Sequence, residues 1–171
     1  MNYKLTWFEA PDVSEEHKHL ATRQVYGWIR SSDNKHIVVS KDGKSWQFPG
    51  GKPEENEDLI ETLQREVHEE TGLSIDSLSV KPPRFFGYYL VEEIDNDTIV
   101  KTYLQVRFIC EIQENSSSLI LKPLEEETIQ DEGDKIAVAQ WIDYSSLPQF
   151  MPWLDDSSEE RMSFMKVAQQ V

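Results

Sequence analysis

Cysteine occurs once in 171 residues, at Cys110, so the chain cannot build a disulfide framework. Cations are scarce: 17 Lys and Arg stand against 32 Asp and Glu, a formal net charge of −15. That balance argues against broad binding to a nucleic-acid polymer, which such a surface would repel. It still admits a small anionic ligand where a metal ion and a few local Lys or Arg reverse the sign. No apolar run approaches the length of a membrane span, and the start, Met-Asn-Tyr-Lys-Leu-Thr-Trp, lacks the apolar segment of a signal peptide. A soluble cytoplasmic protein with no membrane partner is expected. There is no internal repeat and no linker. The expectation is one domain over residues 1–171, with 1–23 as an N-terminal extension of uncertain structure and a homodimer left open.

Glycine is also sparse, but Gly50, Gly51 and Gly72 bracket the most charged stretch of the chain. Within it, Arg65-Glu66-Val67-His68-Glu69-Glu70 packs three carboxylates and a guanidinium into six residues. Pro53 and Asn56 suit a helix start and Gly72 suits a left-handed helix end. At about 100° per residue, Leu59, Ile60, Leu63 and Val67 share one apolar arc, and His68 projects away from it. Glu66 borders that arc, Glu70 falls inside it, and Glu69 continues the flank. Like charges at i, i+3 and i+4 repel, and carboxylates at a core boundary are costly unless a cation neutralises them. Oxygen-only ligation suits a hard ion, Mg²⁺ or Mn²⁺, on Glu66, Glu69 and Glu70.

The stretch 51–73 resembles the Nudix box: Gly, five residues, Glu, seven residues, then Arg-Glu-aliphatic-any-Glu-Glu-any-Gly-aliphatic. Gly51, Glu57, Arg65, Glu66, Val67, Glu69, Glu70, Gly72 and Leu73 supply every position. The lead-in Trp46-Gln47-Phe48-Pro49-Gly50-Gly51 also resembles the family, in which a strand runs into Pro-Gly-Gly. The resemblance implies metal-dependent hydrolysis of a nucleoside diphosphate linked to another group. The box acids would bridge the ions, and Glu66, Glu69 or a loop acid such as Glu127 would take a proton from water. Arg65 is read as a catalytic-site residue that orients the box carboxylates. By family analogy Glu57 supports it, while a helix pair with Glu61 at i−4 is the alternative. Within the acidic run 123–135, Asp131 and Glu132 compete with Glu127.

The remaining pattern is mostly strands. Residues 3–8 read as a short strand and 14–20 as a helical turn capped by Ser14. Residues 25–29 and 36–40 read as strands. Residues 84–91 turn at 95–97 and return as 99–112. On the return strand Leu104, Val106, Phe108, Cys110 and Ile112 share the core face, whereas Tyr103, Gln105, Arg107 and Glu111 point the other way. Substrate-binding candidates are Gly50, Gly51, Arg84, Arg107 and Trp46. Trp46, Phe85 or Tyr88 would stack on a base if not committed to the core. Tyr88 and Tyr89 lie near the place where dinucleoside polyphosphate hydrolases carry a Tyr. Residues 119–121 and 136–142 read as further strands, and a last helix reaches about residue 169 with Met162, Met165 and Phe164 facing inward.

Together these elements give an α+β class, and the resemblance implies the Nudix α/β/α sandwich with a mixed, largely antiparallel sheet. The expected substrate is a small nucleotide: a nucleoside triphosphate, a dinucleoside polyphosphate or a nucleotide sugar. A Nudix-fold module that binds nucleotide without turnover is the alternative. An isomerase on the same fold would require a cysteine at its site, and Cys110 sits at a core-facing position.

Overall fold

The computed structural model describes residues 1–124 and 135–169. Eight strands form one sheet: β1 Asn2–Glu9, β2 Thr22–Arg30, β3 Lys35–Ser40, β4 Trp46–Gln47, β5 Gly50–Gly51, β6 Arg84–Asp95, β7 Thr98–Glu111 and β8 Val138–Asp143. The order is β1-β6-β7-β2-β3-β4, with β5 on β2 and β8 on β3. Only the β2–β7 pairing is parallel among these strands; the others are antiparallel. The mixed, largely antiparallel sheet read from the sequence is the sheet observed.

Alternation along the strands divides the core between the two faces. Val25, Ile29, Val39, Leu104, Val106, Phe108 and Cys110 pack against helix α1, Leu59–Thr71, through Leu63 and Val67. Trp28, Val38, Phe86 and Ile109 pack against helix α4, Glu159–Gln169, through Phe164 and Ala168. Two short helices, α2 Ile75–Leu78 and α3 Leu147–Phe150, close the ends. A helix on each face makes the α/β/α sandwich. Cys110 is fully buried, and burial pushes its thiol up to about 12. No described helix is long and apolar enough to cross a membrane.

Several local expectations are corrected. Helix α1 is started neither by Pro53 nor by Asn56: Asp58 is the N-cap, accepting from the Glu61 N–H while Glu61 accepts from the Asp58 N–H. That reciprocal capping box satisfies two backbone donors, and Asn56 instead takes a left-handed turn conformation at φ 64°. Gly72 does end the helix, at φ 77°. Residues 119–121 form no strand; Leu119 and Leu121 pack onto the core while Ile120 is exposed. On α4, Met162 and Met165 face solvent, and the inward stripe is Glu160, Phe164 and Ala168 at i, i+4 and i+8.

The N-terminal residues belong to the sheet. Strand β1 pairs with β6 along its whole length. The turn that follows is anchored by His17, whose Nδ1 lies 2.8 Å from the Tyr88 hydroxyl while Phe8 stacks on the Tyr88 ring. Tyr88 is therefore a core residue. Its neighbour Tyr89 points to the opposite face.

His36 is fully buried among the rings of Trp28, Tyr144 and Phe164, and neither ring nitrogen has a hydrogen-bond partner. Burial, with Arg30 nearby, pushes the imidazole down to about 3. Below the ordinary value of about 6.5 the unfolded chain therefore binds a proton that the folded chain refuses, so His36 costs stability as pH falls. At pH 5 the cost is roughly 2 kcal/mol, or about 4–8 °C in Tm. His36→Leu is expected to shrink the drop in Tm between pH 7.5 and pH 5 by that amount. An unchanged drop in a thermal melt would show that His36 is protonated in the fold.

Candidate active site

Strand β5 delivers Gly50 and Gly51 against β2, where Val25 pairs with Gly51 and Tyr26 with Gly50. A side chain is excluded at Gly50 and would displace Glu66 at Gly51. A Cβ on Gly50 would collide with the Val25 carbonyl oxygen, and one on Gly51 would sit 2.5 Å from the Glu66 carboxyl carbon. These glycines let the backbone lie directly beside the acids of α1.

The acids are organised by Arg65. Its Nε–H donates to Glu57 Oε2 at 2.7 Å and its Nη2 to Glu57 Oε1 at 3.0 Å, a bidentate pair. Nη2 also donates to the Lys52 carbonyl at 2.9 Å, tying down the loop before the helix. Nη1 donates to Glu66 at 2.8 Å and reaches Glu69 at 3.4 Å. Glu61, the alternative partner, is instead occupied by the capping box. The Arg65 guanidinium holds the Glu57 carboxyl down at about 2.

The other carboxylates are pushed the opposite way. Burial raises Glu66 and Glu69, with Arg65 partly opposing. Glu70 lies inside the core boundary, accepting from the Gly50 N–H at 3.1 Å. Burial raises its carboxyl well above the ordinary range, and the charge of Glu66 adds to that. Three half-buried or buried carboxylates thus share one end of the helix with a single guanidinium. Their donor set is all oxygen, which fits a hard divalent ion, and a second positive charge would relieve the desolvated acids. Among the described residues, no three His, Cys, Asp or Glu side chains converge as a ready-made ligand set. Arg65 engages Glu66 and Glu69, and Glu70 is turned onto Gly50.

A polar cavity of about 350 Å³ opens beside these acids. Glu66, Glu70, Gly50 and Gly51 form one side, and Arg23, Lys41 and Lys52 contribute positive charge around it. A larger cavity of about 820 Å³ adjoins it, sharing Gln24, Tyr26 and Gln47 and lined further by Trp46 and Arg107.

The structure therefore brings Gly50, Gly51, Arg65, Glu66, Glu69 and Glu70 together, with Trp46 and Arg107 in the adjoining cavity. It does not bring Arg84 there. Arg84 pairs with Glu111 at 3.6 Å and lines a separate groove with Glu9 and Lys166, because β6 carries it to the far end of the sheet. Phe85 and Tyr88 pack in the core on the α1 face. Glu127, Asp131 and Glu132 lie outside the described residues. Sequence reasoning missed Glu160, which is fully buried and receives the Arg107 Nε–H at 2.8 Å and the Trp28 Nε1–H at 3.2 Å. The available signal was its i, i+4 spacing to Phe164, an acid on an apolar stripe as at Glu70.

A model of the NUDIX domain matches residues 20–162. An 8-oxo-dGTP diphosphatase of Buchnera aphidicola is 60% identical over 58 residues, 32% of this chain and 45% of that protein. An RNA pyrophosphohydrolase of Bartonella tribocorum is 29% identical over 108 residues, 60% of this chain and 59% of its own. The chain spans about half the length of these curated relatives. A Bacillus subtilis pyrophosphohydrolase structure superposes with a TM-score of 0.62 over 96% of this chain and 90% of that one, at 19% identity. An Ap4A hydrolase of C. elegans gives 0.56 over 87% and 99%, at 10% identity. These two likenesses establish the fold.

Glu57→Gln keeps the size of the side chain but removes the bidentate charge-assisted pair. The loss is expected to cost about 1–3 kcal/mol, or roughly 2–12 °C in Tm at pH 7. Because Glu57 is depressed from 4.5 to about 2, its contribution is present above 4.5 and lost as pH falls toward 2. The gap between wild type and variant should narrow over that window in thermal melts. Equal Tm values at pH 7 would show that the pair contributes nothing to stability.

Proposed function

The chain belongs to the Nudix family, and we propose that it is a pyrophosphohydrolase that cleaves a phosphoanhydride bond in a nucleoside diphosphate linked to another group. The observation that carries this reading is that Arg65 holds Glu66 and Glu69 at the end of α1 where Glu66 and Glu70, with Gly50 and Gly51, wall a polar cavity. The names of the relatives point the same way, since one is an 8-oxo-dGTP diphosphatase and another an RNA pyrophosphohydrolase.

In this reading Glu66, Glu69 and Glu70 would hold Mg²⁺ or Mn²⁺. Such an ion supplies charge neutralisation for the pyrophosphate and polarises the phosphorus that water attacks. The protein's own groups do the rest. Arg65 is a positioning residue: anchored on Glu57 and the Lys52 carbonyl, it fixes where Glu66 and Glu69 stand. The Gly50 N–H fixes one oxygen of Glu70. Arg23, Lys41 and Lys52 offset phosphate charge in a chain that is otherwise strongly acidic. A proton from the attacking water passes to a carboxylate: Glu66, Glu69, or Glu127 from the acidic run.

Substrate class separates into two readings. Small nucleotides suit the chain's charge of −15, whereas the RNA-directed relatives favour a 5′-triphosphorylated RNA end. One panel decides: nucleoside triphosphates, an oxidised triphosphate, a dinucleoside polyphosphate, ADP-ribose, a nucleotide sugar and a short 5′-triphosphorylated RNA, each with Mg²⁺, products resolved by ion exchange. Hydrolysis that needs the ion and falls by about 100-fold or more in Glu69→Gln is the expected result. A folded, ion-binding protein that turns over nothing in the panel would replace the enzyme with a nucleotide-binding module.

A further inference from the structure

Strand β1 is an open edge of the sheet. Beyond its end the Ala10 N–H donates to the Phe86 carbonyl at 3.3 Å, and the same register continues through Phe8 with Tyr88, Thr6 with Leu90 and Lys4 with Glu92. In an antiparallel ladder, residues that exchange bonds with the neighbouring strand alternate with residues whose backbone groups point away from it. The N–H and C=O groups of Tyr3, Leu5 and Trp7 therefore point out of the sheet, and no described residue pairs with that edge. The three side chains share one face. Helix α4 covers that face at Trp7, whose Nε1–H donates to Ser163 Oγ at 2.8 Å, and leaves Tyr3 and Leu5 56% and 51% exposed. Such an edge is a template for another strand, and proteins usually blunt it with proline, a bulge or unpaired charge. β1 has no proline and no bulge against β6. Its charged residues are paired, Lys4 with Glu92 at 3.3 Å and Glu9 with Lys166 at 3.4 Å. A chain of net charge −15 repels its own copy, and this edge is a place where the charge is locally balanced.

We propose that two copies of the chain associate here, β1 pairing antiparallel with β1 about a twofold axis at Leu5, so that one sheet runs through both copies. Charge and packing select the register. An axis at Lys4 sets Lys4 against its own copy. An axis at Thr6 sets Tyr3 against Glu9. An axis at Leu5 sets Leu5 against Leu5 and Tyr3 against Trp7, apolar pairs on the α4 side, with Lys4 against Thr6 on the other side. In that register the outward backbone groups of Tyr3, Leu5 and Trp7 meet those of Trp7, Leu5 and Tyr3 of the second copy and satisfy them. Leu5 and Trp7 also line the larger cavity, so Tyr3 of the second copy comes to Trp7 at the rim of that cavity. Each copy thus adds a residue to the other's cavity wall. β1 precedes residue 20, where the family match begins, so the contact is built from chain outside the matched region. The inference does not depend on which reaction the box performs.

Sedimentation velocity of the full chain, from about 1 µM to about 500 µM, is expected to show a monomer–dimer equilibrium. One strand pair buries less than the roughly 1,600 Å² of a standard interface, so a dissociation constant of about 10–100 µM is expected. Leu5→Glu sets like charges against each other at the axis and should weaken association by about tenfold or more. Because Leu5 is half exposed, the Tm of that variant at about 1 µM should stay within about 3 °C of wild type. Single cysteines read the register. Residues that face each other across a hydrogen-bonded antiparallel pair have Cα atoms about 5.5 Å apart, inside disulfide range. Under mild oxidation Leu5→Cys should therefore cross-link to its own copy well ahead of Lys4→Cys and Thr6→Cys. Cys110 is buried and does not compete. If Leu5→Glu does not fold, the cysteine series decides. A chain that stays monomeric to about 500 µM, a dimer that a folded Leu5→Glu leaves intact, or cross-linking of Lys4→Cys or Thr6→Cys as fast as Leu5→Cys would overturn the proposal.

Discussion

Everything at the box end of this molecule depends on one guanidinium. Arg65 is the cation that lets Glu57, Glu66 and Glu69 stand together at the edge of a core. Its five N–H donors are arranged as a planar fork, and the fork is used fully: two bonds fix it on Glu57, one ties the loop through the Lys52 carbonyl, and the remainder reaches the acids. A lysine would supply the charge but not the geometry. Glu70 stands outside this arrangement, on the Gly50 N–H, and its carboxyl is the most strongly raised of the box acids because burial acts on it with least compensation. The box is therefore short of positive charge by its own construction, and that shortage is what makes the donor set suitable for a divalent ion.

The glycines and the guanidinium are two halves of one device. Backbone at Gly51 approaches the Glu66 carboxyl so closely that any Cβ would displace it. The close approach is possible because β5 is a two-residue strand hydrogen-bonded to β2, which in turn lies beside β7. A sheet pairing thus sets the position of a carboxylate on a helix. Register matters here: a one-residue slip would exchange the faces of β2 and put Val25 where Tyr26 lines the cavities.

Much of this was legible in the sequence where a single constraint dominates. Alternation along 99–112 placed Cys110 and its neighbours in the core because Leu104, Val106, Phe108 and Cys110 make one face of the strand wholly apolar. Helical geometry placed Glu70 inside the apolar arc, where the structure buries it. Legibility failed where two constraints compete. Asp58 starts α1 because a reciprocal bond with Glu61 outweighs the turn-forming tendencies of Pro53 and Asn56. Residues 119–121 have strand composition but pair with no strand; only their alternate side chains find the core. Hydrophobicity pointed Met162 and Met165 inward, yet the helix turns Glu160 inward instead. Arg84 was separated from the site by the length of β6, which spacing along the chain does not reveal.

The inversion on α4 shows how an energetic cost can specify a surface. Burying Glu160 alone would be prohibitive, and burying Arg107 alone equally so. Together, with Trp28 satisfying the second carboxylate oxygen and two tyrosine rings flanking the guanidinium, the pair becomes tolerable. It need not add net stability, since a well-packed apolar pair of similar size often does as well. What an apolar pair would not provide is a fixed array of donors at the base of an aromatic cavity. The α4 helix is thereby keyed to β7 by charge. Beside the polar cavity an arginine gathers acids; beside the cavity that adjoins it a buried acid holds an arginine.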